Sequence, residues 1–244
     1  MSFAQARKVA ALSWPLYAFG AGVIVVSVFV LSLRVPVVAK LFATLAIIVM
    51  LRLSFASFFA FHAMFDHSDL LSGSWLHAVV PAPQRWSQIT TSLEQTTLPL
   101  DRVFPDATGS LIDVYDPNVM TEPALARARR GRGVSDDPPL DDLHAVESES
   151  SDLVVIMLAA HEIRSRKGRE SLFNEVRRIV APQGRVVLVE HLRDFIAAIT
   201  FGPGLFHFFP RREWIDLTCA AFELEKEFPI TSFVRVFVLR PRTH

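Results

Sequence analysis

The order of apolar and polar positions divides the chain into two unlike parts. From Ala10 to Leu33 no charged residue occurs, and a run of that length exceeds the roughly 20 residues that cross a bilayer as a helix. After a link from Arg34 to Lys40, a second apolar run extends from Leu41 to about Phe65, broken only by Arg52 and His62. Together they predict a transmembrane helical hairpin over residues 1–68. An arginine near mid-bilayer costs about 2.5–3.5 kcal/mol on insertion scales, so the segment with Arg52 is expected to tilt, pack on the first helix or lie partly in the interface. A signal peptide would have a shorter apolar region and a small-residue cleavage site. Residues 69–84, turn-rich and holding Pro81 and Pro83, read as a linker to a domain over 85–244.

Within that domain the periodicity alternates. Trp86–Thr90 and Ser110–Val114 read as strands, and Glu94–Val103 and Thr121–Arg130 as helices, the second with Thr121 as its cap. Gly131 to Ser151 is acidic and proline-containing, hence loop, with a short strand or turn near Leu140 to Leu143. Asp152 to Leu158 is too short and too apolar for a surface helix, and Arg185 to Glu190 repeats the same β-branched run. Between them Leu172, Phe173, Val176, Ile179 and Val180 recur on one helical face, and Pro182-Gln183-Gly184 supplies a turn. This is a β-α-β unit of a parallel sheet. Phe222–Phe228 and Phe233–Leu239, separated by four residues, form an antiparallel pair.

The fold class is therefore α/β: a doubly wound, mostly parallel sheet with a C-terminal antiparallel hairpin, preceded by the transmembrane hairpin. Such sheets bind small ligands beyond the carboxyl ends of their strands. Here one strand runs into His161-Glu162 and the other ends in Glu190-His191.

Composition narrows the function. With 25 basic and 25 acidic residues, there is no basic excess to bind nucleic acid. The single cysteine, Cys219, cannot form an internal disulfide, and its apolar neighbours predict an inert core thiol.

The order of elements and several local sequences resemble the class I S-adenosylmethionine-dependent methyltransferases. Ser110-Leu111-Ile112-Asp113 looks like that family's second strand, which ends in the acidic residue that binds the cofactor ribose. Pro117-Asn118-Val119-Met120 and the Ala/Arg-rich stretch from Ala124 to Arg130 look like its continuation. Ser151 to Val155 resembles the fourth strand, and Val176 to Glu190 the following helix, turn and fifth strand. The likeness covers about Arg85 to Arg240. It departs where the family has a glycine-rich loop, since Gln88 to Thr97 contains no glycine. Ser92, the smallest residue there, stands 21 positions before Asp113, near the roughly 20-residue offset of dinucleotide-binding sheets.

The resemblance implies S-adenosylmethionine as cofactor, with Thr91, Ser92, Glu94, Asp113 and Leu158 beside it. Asp113 also reads as a turn residue before Pro117. Asp141 and Asp142 fall where the family often places an acidic residue near the adenine, and also read as a solvated acidic loop; Asp142 is taken as the adenine partner. On the acceptor side stand His161, Glu190, His191 and His207, any of these histidines being able to take a proton from a hydroxyl or amine or simply to cap a loop. A metal site built from them has no diagnostic spacing, and none is assigned.

Phe201, Phe206, Phe208 and Phe209 surround His207 and read as a pocket for an apolar acceptor or as core. With a membrane hairpin, the expected acceptor is a small hydrophobic molecule that partitions into the lipid bilayer. A domain using a cytosolic cofactor is expected on the cytoplasmic side. Gly20, Ala21 and Gly22 allow close helix packing within or between chains, so a homo-oligomer is one arrangement open to it. The alternative function is a non-catalytic descendant of the fold acting as a membrane-tethered scaffold.

Overall fold

A computed structural model of the chain describes residues 3–91, 97–131, 133 and 143–242. The first apolar run divides at Ser13 into α1 (Ala4–Leu12) and α2 (Trp14–Ser32), and the second is α3 (Val37–Phe61). Among the described residues, two helices are long and apolar enough to cross a membrane. Their outward faces are apolar: Phe19, Val26 and Phe29 on α2 and Phe42, Ile48 and Phe55 on α3 are all exposed. Tyr17 and Ser57 join the two helices through a 3.1 Å hydroxyl contact. Arg52 reaches out of α3 to donate to the carbonyl of Ile199 at 2.5 Å.

Six strands form one sheet in the order β2-β1-β3-β4-β6-β5. They are β1 (Arg85–Thr90), β2 (Thr108–Asp113), β3 (Ser151–Met157), β4 (Val180–His191), β5 (Phe222–Thr231) and β6 (Val234–Pro241). The first four are parallel, and β6 runs antiparallel to both β4 and β5. Strand alternation sends Val154, Ile156, Val186 and Leu188 to one face and Leu153, Val155, Met157, Val187 and Val189 to the other. Burial on both faces is why β3 and β4 read as unbroken apolar runs.

On the first face lie α6 (Arg166–Ile179), through Leu172, Phe173, Val176 and Ile179, and α8 (Arg211–Thr218), through Trp214 and Leu217. Ser165 caps α6 by accepting the Gly168 N–H. The second face is covered by the end of α3 and the turns that follow it: Ala60, Met64, Leu70, Leu76 and Val80 pack with Trp86 and Val155. Within the stretch expected as a linker, Leu70 and Leu76 are fully buried core and Leu71 is partly buried against them.

Several local expectations differ from what forms. The helix expected over Glu94–Val103 is described only from residue 97, and there it is helical only at α4 (Leu100–Val103). Pro99 sets that boundary, because a residue before proline is driven away from helical geometry. The next helix, α5 (Pro123–Gly131), starts at Pro123 rather than after Thr121. Proline suits a first helical position, and the Glu122 carboxylate accepts the Ala124 N–H at 3.4 Å. Leu143–Ala145 is a 3₁₀ turn, and residues 140–142 lie outside the described residues. Ala181 to Gly184 is absorbed into the start of β4, where the register shifts between Ser151 and Leu153. Cys219 is exposed at the end of α8, not a core thiol. The apolar face of that helix turns Trp214 and Leu217 inward, leaving position 219 outside.

Candidate functional site

The carboxyl ends of the four parallel strands meet along one edge of the sheet, and the expected residues lie there in two groups. At the β1/β2 end, register pairs Thr90 with Asp113. Asp113 Oδ1 accepts the Tyr115 N–H at 3.1 Å, and Oδ2 accepts from Arg129 of α5 at 2.6 Å. The same guanidinium donates to the Thr91 carbonyl at 3.1 Å and stacks 4.0 Å over the Tyr115 ring. Arg129 is 1 % exposed whereas the Asp113 side chain keeps 17 %, so the carboxylate still forms part of a wall. That wall belongs to a cleft of about 410 Å³ lined by Asp113, Val114, Tyr115, Met120, Leu143 and Ile163, among others. Thr91 is buried, and among the described residues its hydroxyl has no hydrogen-bond partner. Ser92, Glu94 and Asp142 lie outside the described residues.

Leu158 stands between the two groups. It takes a left-handed conformation (φ 49°) while its N–H donates to the Val189 carbonyl at 2.9 Å. A side chain in that region costs about 1–2 kcal/mol; the buried Leu158 side chain offsets it by packing among Met157 and Val189. The reversal launches the turn Ala160–Glu162, which carries the second group.

There the tertiary structure gathers His161, Glu162, Glu190, His191 and His207. Glu190 is fully buried; its Oε1 accepts the backbone N–H groups of Ala160 (3.0 Å) and His161 (3.2 Å), and its Oε2 pairs with His161 Nδ1 at 2.6 Å. With both oxygens so engaged, Glu190 positions His161. Burial opposes charging of His161, but the Glu190 carboxylate outweighs it and the pKa lies above the ordinary histidine value. His191 behaves oppositely. Burial and then the His161 charge push its pKa down to about 3, and its Nδ1 bonds the Phe233 carbonyl at 3.1 Å. Burial also opposes ionisation of Glu162, yet the His207 and His161 rings and Arg164 hold its carboxyl below the usual range.

His207 is the accessible member, 28 % exposed, with Nε2 3.7 Å from Glu162 Oε1 and Nδ1 3.7 Å from Glu122 Oε2. It ends a 3₁₀ segment, Gly202–His207, that follows α7 (Phe195–Phe201). The four phenylalanines of this region divide between packing and exposure. Phe201 packs on Phe61, Phe233 and Phe208, Phe208 also on His191, Phe209 on Trp214, and Phe206 is largely exposed.

Sequence reasoning missed the arginines that hold these loops in place. Arg164 donates to the carbonyls of His161 (3.1 Å), His207 (2.6 Å) and Phe206 (3.2 Å), tying the two histidine loops together. Arg169, buried in α6, pairs with Glu213 at 2.5 Å, donates to the Ile163 and Arg164 carbonyls and stacks 3.8 Å over Phe209. The one available signal was an arginine at position 169, on the face of α6 that also carries Leu172, Phe173 and Val176.

No family model matches the chain, and no curated protein does. Among solved structures, the mitomycin 7-O-methyltransferase is similar at a TM-score of 0.50 and 16% identity, over 77% of this chain and 56% of that one. A SAM-dependent methyltransferase from Aquifex aeolicus gives 0.49 and 10%, over 70% and 90%. The N-methyltransferase NodS from Bradyrhizobium japonicum gives 0.46 and 14%, over 70% and 83%. The chain spans little more than half the length of the mitomycin enzyme.

Proposed function

We propose that this chain, which has the class I methyltransferase fold, is a membrane-anchored S-adenosylmethionine-dependent methyltransferase acting on a small hydrophobic acceptor. The observation that carries this reading is the place of Asp113: at the carboxyl end of β2, beside the end of β1, on the wall of a cleft large enough for a nucleoside.

The residues present fit the cofactor. Asp113 is an ionised acceptor for ribose hydroxyls, held in place by Arg129 and the Tyr115 N–H. Val114, Met120, Leu143 and Ile163 give the cleft apolar surface for a base. Among the described residues, the buried Thr91 hydroxyl is a polar group in want of a partner. When bound, S-adenosylmethionine supplies a methyl group on a positively charged sulfur. The protein's own work is to hold the acceptor in line and to take its proton. His161, Glu162 and His207 offer the proton acceptors, and Glu190 fixes the His161 tautomer so that Nδ1 carries the hydrogen and Nε2 the lone pair.

The two apolar helices support anchoring in a bilayer, with the domain on the cytoplasmic side where the cofactor is made. A bilayer-partitioned acceptor then meets enzyme held at the same surface. Exposed Phe195, Ile196 and Ile199 on α7, which packs on α3, and exposed Phe206 just before His207 add to the apolar surface on this side.

The Arg129–Asp113 pair also favours a second reading, a non-catalytic scaffold, because it satisfies part of the carboxylate without a ligand. Calorimetric titration of the detergent-purified protein with S-adenosylmethionine and its demethylated product separates the two. Saturable binding that is lost in folded Asp113→Asn supports the enzyme; no binding by folded wild type supports the scaffold.

A further inference from the structure

His161, Glu162 and His207 come from two different loops, yet each offers a donor atom within 4.8 Å of the other two. Glu162 Oε1 lies 3.6 Å from His161 Nε2 and 3.7 Å from His207 Nε2. These separations are too long for hydrogen bonds. They are close to the roughly 3.3–3.6 Å that separates neighbouring donors around one ion with bonds of about 2.0–2.2 Å in tetrahedral array.

Two further observations point to a cation. Glu162 is more than nine-tenths buried, and among the described residues its Oε2 has no hydrogen-bond partner. A buried carboxylate oxygen left so is costly unless a positive charge meets it. The His161 ring, in turn, is bonded through Nδ1 to the Glu190 carboxylate at 2.6 Å. That support is the one metal-ligating histidines receive, fixing the tautomer and aiming the other nitrogen at the ion. Arg164, on the carbonyls of both His161 and His207, holds the two loops at the spacing the donors need.

We propose that His161, Glu162 and His207 bind one divalent transition-metal ion through two imidazole nitrogens and a carboxylate. Two nitrogens and one oxygen suit Zn²⁺ far better than Mg²⁺, which takes oxygen ligands in octahedral array. Three protein ligands leave a fourth position open, on the side where His207 meets solvent. Imidazole nitrogens that hold the ion no longer take a proton, so with the ion bound its positive charge, in place of the histidine lone pairs, would favour loss of the acceptor's proton to solvent. That the open position receives the acceptor's oxygen or nitrogen rests on the methyltransferase reading; the binding of the ion does not.

The test uses full-length, tag-free protein in detergent, stripped with a chelator and titrated with Zn²⁺, Mn²⁺ or Mg²⁺ against a chromophoric competitor. One equivalent of Zn²⁺ per chain is expected, with Mg²⁺ not competing. Glu162→Gln and His207→Ala should each weaken Zn²⁺ binding at least tenfold, and Glu190→Gln by about 10–100-fold, as loss of a supporting carboxylate does. His77→Ala, which removes a ring packed on Phe104, should leave it unchanged. Co²⁺ bound to the wild type should show the absorption of a four-coordinate centre, a readout independent of how the variants fold. Absence of stoichiometric Zn²⁺ uptake by folded wild type overturns the proposal, as does equal uptake by Glu162→Gln and His207→Ala. No step uses S-adenosylmethionine, so loss of the metal site and loss of the methyltransferase reading are distinguishable.

Discussion

Arg129 and Asp113 form a 2.6 Å ion pair in which the guanidinium is almost entirely buried while the carboxylate still faces the cleft. The pair ties α5 to the end of β2 and, through the Thr91 carbonyl, to the chain leaving β1. It gives the carboxylate proposed to bind the ribose a fixed geometry before any ligand arrives.

Asp113→Asn therefore removes the carboxylate charge 2.6 Å from the Arg129 guanidinium, which stays buried against Tyr115. A loss of about 3 kcal/mol is expected, the lower end of the range for breaking one side of a buried pair, because Asp113 is partly exposed. Adding Arg129→Met should recover much of it. Denaturant unfolding of the single and double variants measures both; no difference between them would mean the pair does not hold α5.

Thr91→Val replaces a buried hydroxyl that has no partner among the described residues with a methyl group of the same shape. Stability is expected to stay level or rise by about 1 kcal/mol, while affinity for S-adenosylmethionine falls about tenfold, roughly 1.4 kcal/mol. Thermal unfolding and calorimetry on one preparation separate the two effects. Unchanged affinity would remove Thr91 from the site.

Gly109 lies opposite Trp86 in the β1–β2 register. A Cβ there would sit 2.1 Å from a Trp86 ring atom and 2.4 Å from the Trp86 carbonyl oxygen. Since backbone cannot yield as a side-chain end can, Gly109→Ala should cost about 2–3 kcal/mol and weaken cofactor binding by displacing the strand that ends in Asp113. A variant that melts with the wild type would refute this.

Asp66 reaches back to α1 and accepts the N–H groups of Gln5 (2.9 Å) and Ala6 (3.0 Å), one on each carboxylate oxygen. At the other end of α1, Arg127 of α5 donates twice to the Leu12 carbonyl. Asp66→Ala should destabilise α1 by about 1–2 kcal/mol, as loss of a helix cap does. Hydrogen exchange across residues 4–12 should accelerate correspondingly, with residues 151–157 in the core unaffected.

What could be read from the chain is what depends on neighbours in sequence. The β3–α6–β4 unit was legible because period-3.6 and unbroken β-branched runs follow one another, and the antiparallel pair β5–β6 because four residues separate its strands. The 21-residue offset from Ser92 set Asp113 at a strand end, where β2 does finish, and the clustering of His161, Glu190 and His191 followed once β3 and β4 were taken as adjacent parallel strands.

What the chain did not reveal depends on partners far apart in sequence. Arg129, Arg164 and Arg169 look like ordinary helix and loop cations. Arg129 and Arg169 become buried, and Arg164 finds its carbonyl partners, only because the sheet order brings β1 beside both β2 and β3, so that α5 reaches Asp113, and α8 and the His207 loop close over α6. The packing of residues 70–80 beneath the sheet was hidden for the same reason: a leucine amid turn-forming residues carries no period of its own. The sequence by itself determined the alternation of elements, the two apolar helices and the strand ends that carry Asp113, His161 and Glu190, since each follows from local burial and backbone preference. The tertiary structure alone decided which charges meet, because a salt bridge or shared ligand site between loops exists only at the separation the folded sheet imposes.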